Sequence, residues 1–401
     1  MTTLISRRFL SIAVVAFATV SHAEKRYGPG VTNTEIKIGQ TMPYSGPLSG
    51  YSTIATAEAA YFAKINAEGG INGRKVKFIS LDDGLSPPKT AEQTRKLIEQ
   101  EEVLLLFNSL GTSTNTAIRN YVNQKKVPHI FLATGATKWC DPQNFPWAMG
   151  WQLAYQMEAM YFAKYILQTK PDAKVAVLYQ NDYRGKDYLK GLRDGLGNKA
   201  PTMIVAEASY GATDPTVDSQ IVMLKGVGAD TLITFASVKA AAQAIRKVYD
   251  IGWKPLYILP LTAVSVETVL KLAGREKSIG LVSIGNQKDP TDPQWRNDPA
   301  TKEWLAWMKQ YYPHGNTNEL LNVAGYSYAQ TLIHVLKQCG DDLSRENVIK
   351  QAANLTNLEL PMLLPDIKIN TSPTDYFPTE QGQMMRFDGK EWVRFSEILG
   401  K

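Results

Sequence analysis

Residues 103–114 read VLLLFNSLGTST, an unbroken apolar run followed at once by a loop of small and hydroxyl-bearing side chains. A strand that is apolar at every position fits the centre of a parallel sheet, because helices cover both faces of such a sheet. Ligands in open α/β sheets bind just beyond the carboxyl ends of the strands. The pattern therefore predicts a central strand at 103–107 and a binding loop that includes Gly111 and Thr112.

A second loop of the same kind follows the next apolar segment. Residues 130–132 read IFL and residues 133–137 read ATGAT, which contains Gly135 and Thr137. Glycine exposes main-chain N–H groups, hydroxyls add donors, and a helix N-terminus favours an anion. Serine and threonine also cap helices without binding a ligand. Because two such loops follow successive strands, we interpret them as a site for a carboxylate.

Strand-like runs alternate with segments of helical period from Glu35 onward, which is typical of βαβ units. The alternation restarts after residue 151, and 401 residues exceed what one hydrophobic core organises. Three helices after the polar stretch 286–299 are expected to return to the first lobe, and Asp388-Gly389 predicts a C-terminal hairpin. We therefore predict two α/β lobes, residues 27–149 with 286–364 and residues 150–285 with 365–401.

The first 23 residues have the pattern of a secretion signal. Arg7 and Arg8 precede an apolar stretch, and Ser21-His22-Ala23 fits a cleavage site. The two arginines partly match a twin-arginine signal, but the spacing favours the general secretion route. A membrane anchor is the alternative. We expect cleavage before Glu24 and a soluble protein in the periplasm.

Composition and motifs argue against several functions. The formal net charge is +6, and lysine and arginine are scattered among acids, so no nucleic-acid partner is expected. Phosphate-binding, dinucleotide and GxSxG motifs are absent, and no histidine has metal-ligand spacing, so we expect neither cofactor nor metal nor catalysis. Asp82-Asp83 could still serve a secreted α/β enzyme. Cys140 and Cys339 allow either one disulfide or two buried thiols.

Five segments carry a family resemblance: Tyr44-Ser45-Gly46-Pro47, residues 67–73 (AEGGING), Asp82-Asp83, and the loops 111–114 and 135–137. With these segments the chain resembles the periplasmic leucine/isoleucine/valine-binding family, the type I solute-binding proteins that deliver ligands to ABC importers. The likeness covers nearly the whole chain beyond the signal. It implies two Rossmann-like lobes joined by three crossovers, hinge closure on a small ligand, a monomer, and ABC permease subunits as partners.

The resemblance also implies a ligand site. A ligand carboxylate would meet Gly111, Thr112, Gly135 and Thr137, with Tyr51 as an aromatic wall. Five positions depart from the amino-acid binders of the family. Leu261 replaces an acidic residue, with no carboxylate nearby. Leu85 and Leu110 replace the two cysteines of a disulfide. Arg184, preceded by Tyr183, and Ser237, close to Phe235, replace aromatic residues.

These departures change the expected ligand. A buried ammonium without a partner costs several kcal/mol, and Leu261 offers none. Arg184 presents a planar fork that suits a carboxylate. An aromatic acid such as benzoate or a hydroxycinnamate, with the side chains of Leu261, Phe235 and Tyr51 around its apolar body, therefore fits better than an α-amino acid. This agrees with a general likeness to the branch that binds aromatic compounds.

Four alternatives stay open. Arg184 could be a surface residue paired with Asp182 or Asp187, or Tyr183 could be the wall residue instead. The ligand could then be a branched-chain or other amino acid. A receptor sensor domain, the remaining class, would continue into a transmembrane helix.

Overall fold

The computed structural model describes residues 25–46 and 48–400. The predicted secretion signal and its cleavage site, and Pro47 of the Tyr44-Ser45-Gly46-Pro47 motif, lie outside these residues. The strands are β1 (Arg26–Tyr27), β2 (Glu35–Met42), β3 (Lys75–Asp82), β4 (Leu105–Phe107), β5 (His129–Leu132), β6 (Ala148–Gly150), β7 (Val175–Gln180), β8 (Ile204–Tyr210), β9 (Thr231–Phe235), β10 (Leu256–Ile258), β11 (Val282–Gly285), β12 (Asp342–Leu343), β13 (Gly382–Phe387) and β14 (Trp392–Leu399).

The α-helices follow the same order. They are α1 (Thr53–Ala67), α2 (Pro87–Arg95), α3 (Thr112–Gln124), α4 (Tyr155–Thr169), α5 (Tyr183–Leu196), α6 (Ala200–Met203), α7 (Asp218–Gly226), α8 (Val238–Asp250), α9 (Lys271–Ala273), α10 (Pro299–Tyr311), α11 (Leu320–Gln338) and α12 (Arg345–Ala352). Short 3₁₀ turns occupy Ser49–Ser52, Thr137–Trp139, Gly197–Lys199, Leu261–Ala263, Glu276–Ser278 and Pro293–Trp295, and π-helical turns occupy Lys96–Gln100 and Val266–Leu270.

The first lobe has a parallel five-stranded sheet in the order β3-β2-β4-β5-β6. The central strand β4 begins only at Leu105, two residues later than the sequence predicts. The carbonyls of Val103 and Leu104 accept hydrogen bonds from the Arg345 side chain at 2.7 and 3.0 Å. The short strand β6 was not predicted, because three residues carry little periodicity.

Strand β4 is buried on both faces, as its composition predicts. Leu105 and Phe107 pack into the core under α1 and α11, and Leu106 faces the opposite cluster around Ile118 and Val122. Side chains of a strand alternate between faces, so an all-apolar strand needs cover on both sides. The loop after β4 is therefore anchored to the most buried part of the lobe.

The second lobe has a seven-stranded sheet in the order β14-β13-β11-β10-β9-β7-β8. Its strands β7 to β11 pair in parallel, whereas β13 and β14 add an antiparallel hairpin beside β11. The predicted C-terminal hairpin is confirmed. It joins the lobe-two sheet through pairs such as Ser283 with Met385.

The chain crosses between the lobes three times: between β6 and α4, between β11 and α10, and between α12 and β13. After the second crossing the helices return to the first lobe, where Tyr326 of α11 lies edge-on to Tyr61 of α1 with ring centroids 5.0 Å apart. The predicted fold class, two Rossmann-like lobes joined by three crossovers, is confirmed. None of the helices within residues 25–46 and 48–400 is long and apolar enough to cross a membrane.

The two cysteines are free thiols. Cys339 is buried, and burial raises the pKa of its thiol to about 12. Cys140 is half-buried, and burial raises the pKa of its thiol as well. The sequence leaves open whether the two cysteines form a disulfide or remain thiols, and in the structure they are thiols.

Candidate functional site

A cavity of about 370 Å³ opens between the two lobes. Residues of the first lobe, such as Tyr51 and Thr112, line it together with residues of the second lobe, such as Arg184 and Leu261. Its volume lies in the range of small-molecule sites, and most of its wall is apolar or aromatic. The cavity is therefore the candidate ligand site.

The loop after β4 forms the lobe-one wall, as predicted. Gly111 and Thr112 both line the cavity, at the N-terminus of α3. Gly111 has φ 104°, and a Cβ on it would lie 2.5 Å from Thr114 Oγ1, so only glycine fits there. Thr112 Oγ1 is 2.7 Å from Thr134 Oγ1. The first N–H groups of α3 lack acceptors inside the helix, which suits an anion.

Of the second predicted loop, residues 133–137, Ala133 lines the cavity but Gly135 and Thr137 do not. Gly135 supports the crossover, where its carbonyl accepts from Tyr155 N at 2.7 Å and a Cβ would lie 2.5 Å from Leu153 O. Thr137 N donates to the Asp187 carboxylate of α5 at 2.7 Å. The placement of Gly135 and Thr137 beside a ligand is thus corrected: these residues connect the lobes near the first crossover instead.

Arg184 lies in the lobe-two wall of the cavity. Its guanidinium donates to the carbonyls of Phe235 (3.4 Å) and Ala236 (3.2 Å) and to Thr262 Oγ1 (2.6 Å). No ion pair within the described residues includes it. A guanidinium stays protonated in proteins, so the wall carries a positive charge without a direct negative partner.

The alternative partners of Arg184 are occupied elsewhere. Asp182 caps α5 by accepting from Gly185 N at 3.0 Å, and its other oxygen accepts from Gln180 Nε2 at 2.7 Å. Asp187 accepts from Thr137 N and from Gln156 Nε2. The hypothesis that Arg184 is a surface residue paired with either aspartate is wrong.

The rings of Tyr155 and Tyr188 lie next to the Arg184 guanidinium. Arg184 lies 5.7 Å from the Tyr155 ring centroid and 5.4 Å from that of Tyr188. Tyr188 stacks on Tyr155 at 4.4 Å and on Phe235 at 4.5 Å. Phe235 is fully buried in this stack, so it contributes a carbonyl to Arg184 and not a ring to the cavity. Its predicted side-chain contact with the ligand is corrected accordingly.

Tyr183 is not the wall residue. Its side chain is 57% exposed, and Lys138 Nζ lies 4.0 Å from its ring centroid outside the cavity. Successive helix residues point about 100° apart, so only one of Tyr183 and Arg184 can face the cavity. The structure places Arg184 there.

The other three predicted residues line the cavity. Tyr51 lies on the 3₁₀ turn that precedes α1, and burial raises the pKa of its phenol to about 12. Ser237 precedes α8, and its main-chain N–H donates to Tyr210 Oη at 2.8 Å. Leu261 begins a 3₁₀ turn after β10. Leu85 and Leu110 also line the cavity.

The expectation that no carboxylate lies near Leu261 is wrong. Glu158 of α4 accepts from Leu261 N at 2.6 Å and from Tyr188 Oη at 2.8 Å. Burial raises the pKa of this carboxyl to about 7, although both hydrogen bonds and Arg184 act in the opposite direction. Glu158 does not line the cavity, so its negative charge lies behind the wall and not against a ligand.

Replacement of Glu158 by glutamine should remove a pH dependence of stability. The folded-state pKa of about 7 exceeds the ordinary value of 4.5, so between these values the folded chain binds more protons than the unfolded chain. The contribution of Glu158 is full below pH 4.5 and is lost as pH rises through about 7, by about 3 kcal/mol. We expect Glu158→Gln to flatten this decline in urea unfolding between pH 5 and pH 8. The exposed Glu92→Gln is the control, and an unchanged slope in Glu158→Gln would contradict the prediction.

Several cavity residues were not predicted as ligand contacts. They include Tyr155, Gln180, Asn181 and Thr262. Gln180 ends β7, Asn181 follows it and Thr262 follows β10, so the rule that ligands bind at strand ends could have found these polar residues. The sequence gives no such indication for Tyr155. This residue begins α4, whose pattern of apolar residues is typical of any helix that packs against a core.

The fold and the cavity together define a two-lobed protein with a candidate ligand cavity between its lobes. Residues 35–391 match the model of the family described as periplasmic binding protein. The match covers most of the chain. The chain belongs to this family, in the group of the leucine/isoleucine/valine-binding proteins.

Known relatives agree with this assignment. The chain is 25% identical to Leu/Ile/Val-binding protein homolog 7 of Brucella abortus over 249 residues. This aligned region covers 60% of this chain and 62% of that protein. The match thus spans about three fifths of the relative. A branched chain amino acid ABC transporter protein from Thermus thermophilus with bound valine has a TM-score of 0.82 at 15% identity, over 92% of this chain and 98% of that one.

Another solved structure of this fold belongs to a protein that is named for a different kind of ligand. The fatty acid ABC transporter substrate-binding protein from Thermomonospora curvata has a TM-score of 0.79 at 19% identity, over 94% of this chain and 95% of that chain. At these identities the two structures show the shared fold alone.

Proposed function

We propose that this chain is the periplasmic substrate-binding component of an ABC importer and that it captures a small carboxylate, foremost an aromatic acid of the benzoate or hydroxycinnamate type. The observation that carries the proposal is Arg184, a charged fork in the cavity wall without an ion-pair partner among the described residues. A buried cation is costly unless it is paired, and a ligand carboxylate supplies the pair.

The cavity suits an acid with an apolar body. Leu261, Leu85 and Leu110 supply aliphatic surface, and Trp151 and Tyr155 supply aromatic surface. The Thermomonospora protein of the same fold is named for a fatty acid, which is likewise a carboxylate without an amine. A protein of this fold is thus named for a ligand of this chemistry.

The rival ligand is a branched-chain amino acid, which the Brucella and Thermus proteins are named for. An α-ammonium would lie next to the carboxylate and hence close to Arg184. Asp182, the cavity acid nearest in sequence, already accepts two hydrogen bonds within its own turn. The ammonium would therefore be desolvated beside a positive charge, at a cost of several kcal/mol.

Binding would close the lobes around the ligand, and the closed form would dock on membrane permease subunits as a monomer. The proposed role is transport without catalysis. A secreted enzyme, the competing class, would convert its ligand, so chromatography of an incubated aromatic acid distinguishes the two.

Calorimetric titration tests the proposal. The protein that lacks residues 1–23 is unfolded, dialysed and refolded to remove bound ligand, then titrated with benzoate, p-coumarate, leucine and valine. We expect saturable binding of the aromatic acids and none of the amino acids. Binding of leucine or valine alone would overturn the aromatic assignment in favour of the rival.

A further inference from the structure

Glu158 of α4 is a buried carboxyl that the proposed binding chemistry does not use. Its side chain is 1% exposed and lies behind the lobe-two wall of the cavity, in contact with the same tyrosine that packs against Arg184. We propose that capture of a ligand carboxylate at Arg184 is coupled to the uptake of a proton by Glu158. This inference rests on the proposed function and adds to it a dependence of affinity on pH.

Both oxygens of Glu158 are connected to the cavity wall. Oε2 accepts from the hydroxyl of Tyr188 at 2.8 Å, and the ring centroid of this tyrosine lies 5.4 Å from the guanidinium carbon of Arg184. Oε1 accepts from Leu261 N at 2.6 Å, and Leu261 itself lines the cavity. The carboxyl is therefore close enough to the wall to respond to a charge that enters the cavity, although it does not touch the ligand.

The groups around Glu158 come from three elements. They are Tyr188 and Arg184 of α5, the main-chain N–H of Leu261 after β10, and Tyr155 of α4, which stacks on Tyr188 at 4.4 Å. Burial raises the pKa of Glu158 to about 7, and the two hydrogen bonds and the charge of Arg184 act against this shift. Near neutral pH, a change in the charge beside Arg184 is therefore sufficient to move the carboxyl from one protonation state to the other.

A ligand carboxylate makes that change. Without it, the guanidinium of Arg184 and the carboxylate of Glu158 offset each other across Tyr188. A bound anion neutralises the guanidinium and adds a second negative charge in a region shielded from water, where unbalanced charge is costly. The ionised form of Glu158 then loses the cation that favours it, so its pKa rises further.

The proton comes from the solvent and binds to Oε2 of Glu158. The contact with Tyr188 is kept with its direction reversed, because a phenol hydroxyl can accept as well as donate. Arg184 is then paired with the ligand, and Glu158 is uncharged. Since protonation of Glu158 accompanies binding, affinity should fall as the pH rises and the ionised carboxylate becomes harder to protonate.

Calorimetric titration with benzoate and cinnamate tests the coupling, because neither acid has a group that titrates between pH 6 and pH 9. The ligand-stripped protein without residues 1–23 is compared with its Glu158→Gln variant, whose amide resembles the protonated carboxyl. We expect equal affinities at pH 6 and about 5- to 30-fold tighter binding by Glu158→Gln at pH 9. Other titrating groups of the wall, such as Asp289, are present in both proteins, so the difference isolates Glu158. The exposed Glu92→Gln is the control and should behave as the unmodified protein does.

The same titrations at pH 7 in phosphate and in Tris count the protons, because the two buffers release a proton with different enthalpies. A carboxyl with a pKa near 7 is about half ionised at this pH, so the unmodified protein should take up roughly 0.3–0.5 proton per benzoate bound. The uptake in Glu158→Gln should be smaller by that amount.

Each outcome supports or overturns the coupling. The same pH dependence of affinity in the unmodified protein and in Glu158→Gln would overturn it and leave the proposed function intact. Proton uptake that persists unchanged in Glu158→Gln would locate the proton on another group and would likewise overturn it. Failure of both acids to bind would overturn the coupling and the proposed aromatic ligand together. If Glu158→Gln does not fold, binding of benzoate to the unmodified protein without proton uptake at pH 7 would still overturn the coupling.

Discussion

Replacement of Arg184 by methionine should weaken the binding of aromatic acids by about 30-fold or more. The guanidinium lies in the cavity wall without a paired carboxylate in the described chain, and it is held toward the cavity by two carbonyls and a hydroxyl. Removal of one partner of a buried, hydrogen-bonded charge pair costs 2–5 kcal/mol, which corresponds to about 30- to 5,000-fold in affinity. Calorimetric titration with p-coumarate and benzoate measures the loss.

Two further substitutions make the test specific. Arg184→Lys keeps the charge but lacks the planar fork, so we expect an intermediate affinity. Arg193 lies on the same helix, α5, and forms an exposed ion pair with Glu207 at 2.6 Å. Arg193→Met should therefore bind the acids as the unmodified protein does. Undiminished binding by Arg184→Met, with a normal urea transition, would show that the anion binds elsewhere.

Replacement of Gly111 by alanine should reduce both stability and binding. Gly111 has φ 104° and ψ 143°, a conformation that side chains other than hydrogen rarely allow. The added Cβ would lie 2.5 Å from Thr114 Oγ1 and 2.9 Å from Leu85 Cδ1. Backbone strain and overpacking together should lower the free energy of unfolding by about 2–4 kcal/mol. Displacement of the loop also moves Thr112 and the first N–H groups of α3, so affinity for a carboxylate should fall.

Gly50 provides the matched control for this substitution. It lies on the 3₁₀ turn next to Tyr51, and a Cβ on it would meet no atom within 4 Å. Gly50→Ala should change the free energy of unfolding by no more than about 0.5 kcal/mol. Urea unfolding of the two variants gives the comparison, and equal stabilities would show that the loop can accommodate a side chain.

Most of the architecture could be predicted because it depends on local patterns. The alternation of strands and helices, the buried strand β4 and the hairpin at Asp388-Gly389 follow from periodicity and turn residues. The short strand β6 was missed because three residues carry too little pattern. The state of Cys140 and Cys339 was open because spacing along a chain says nothing about distance in space.

The structure brings only some of the predicted site residues to the cavity, for a related reason. Tyr51, Gly111, Thr112, Arg184, Ser237 and Leu261 line the cavity, whereas Gly135, Thr137, Tyr183 and Phe235 lie outside it. The loop at 133–137 resembles the loop at 111–114 in composition, yet its Gly135 and Thr137 contact the crossover and α5. The composition of a loop shows which main-chain and hydroxyl groups are present. It does not show which other residues pack against that loop in the folded protein.

The sequence by itself determined the two-lobed α/β fold and the presence of a glycine- and hydroxyl-rich loop after a central strand. These features are encoded in residue types that are close together along the chain. The tertiary structure alone decided that Arg184 and not Tyr183 faces the cavity. It also brought Glu158 to Leu261, 103 residues away. These arrangements depend on how helices and crossovers pack, and packing is a property of distant contacts that no local pattern specifies.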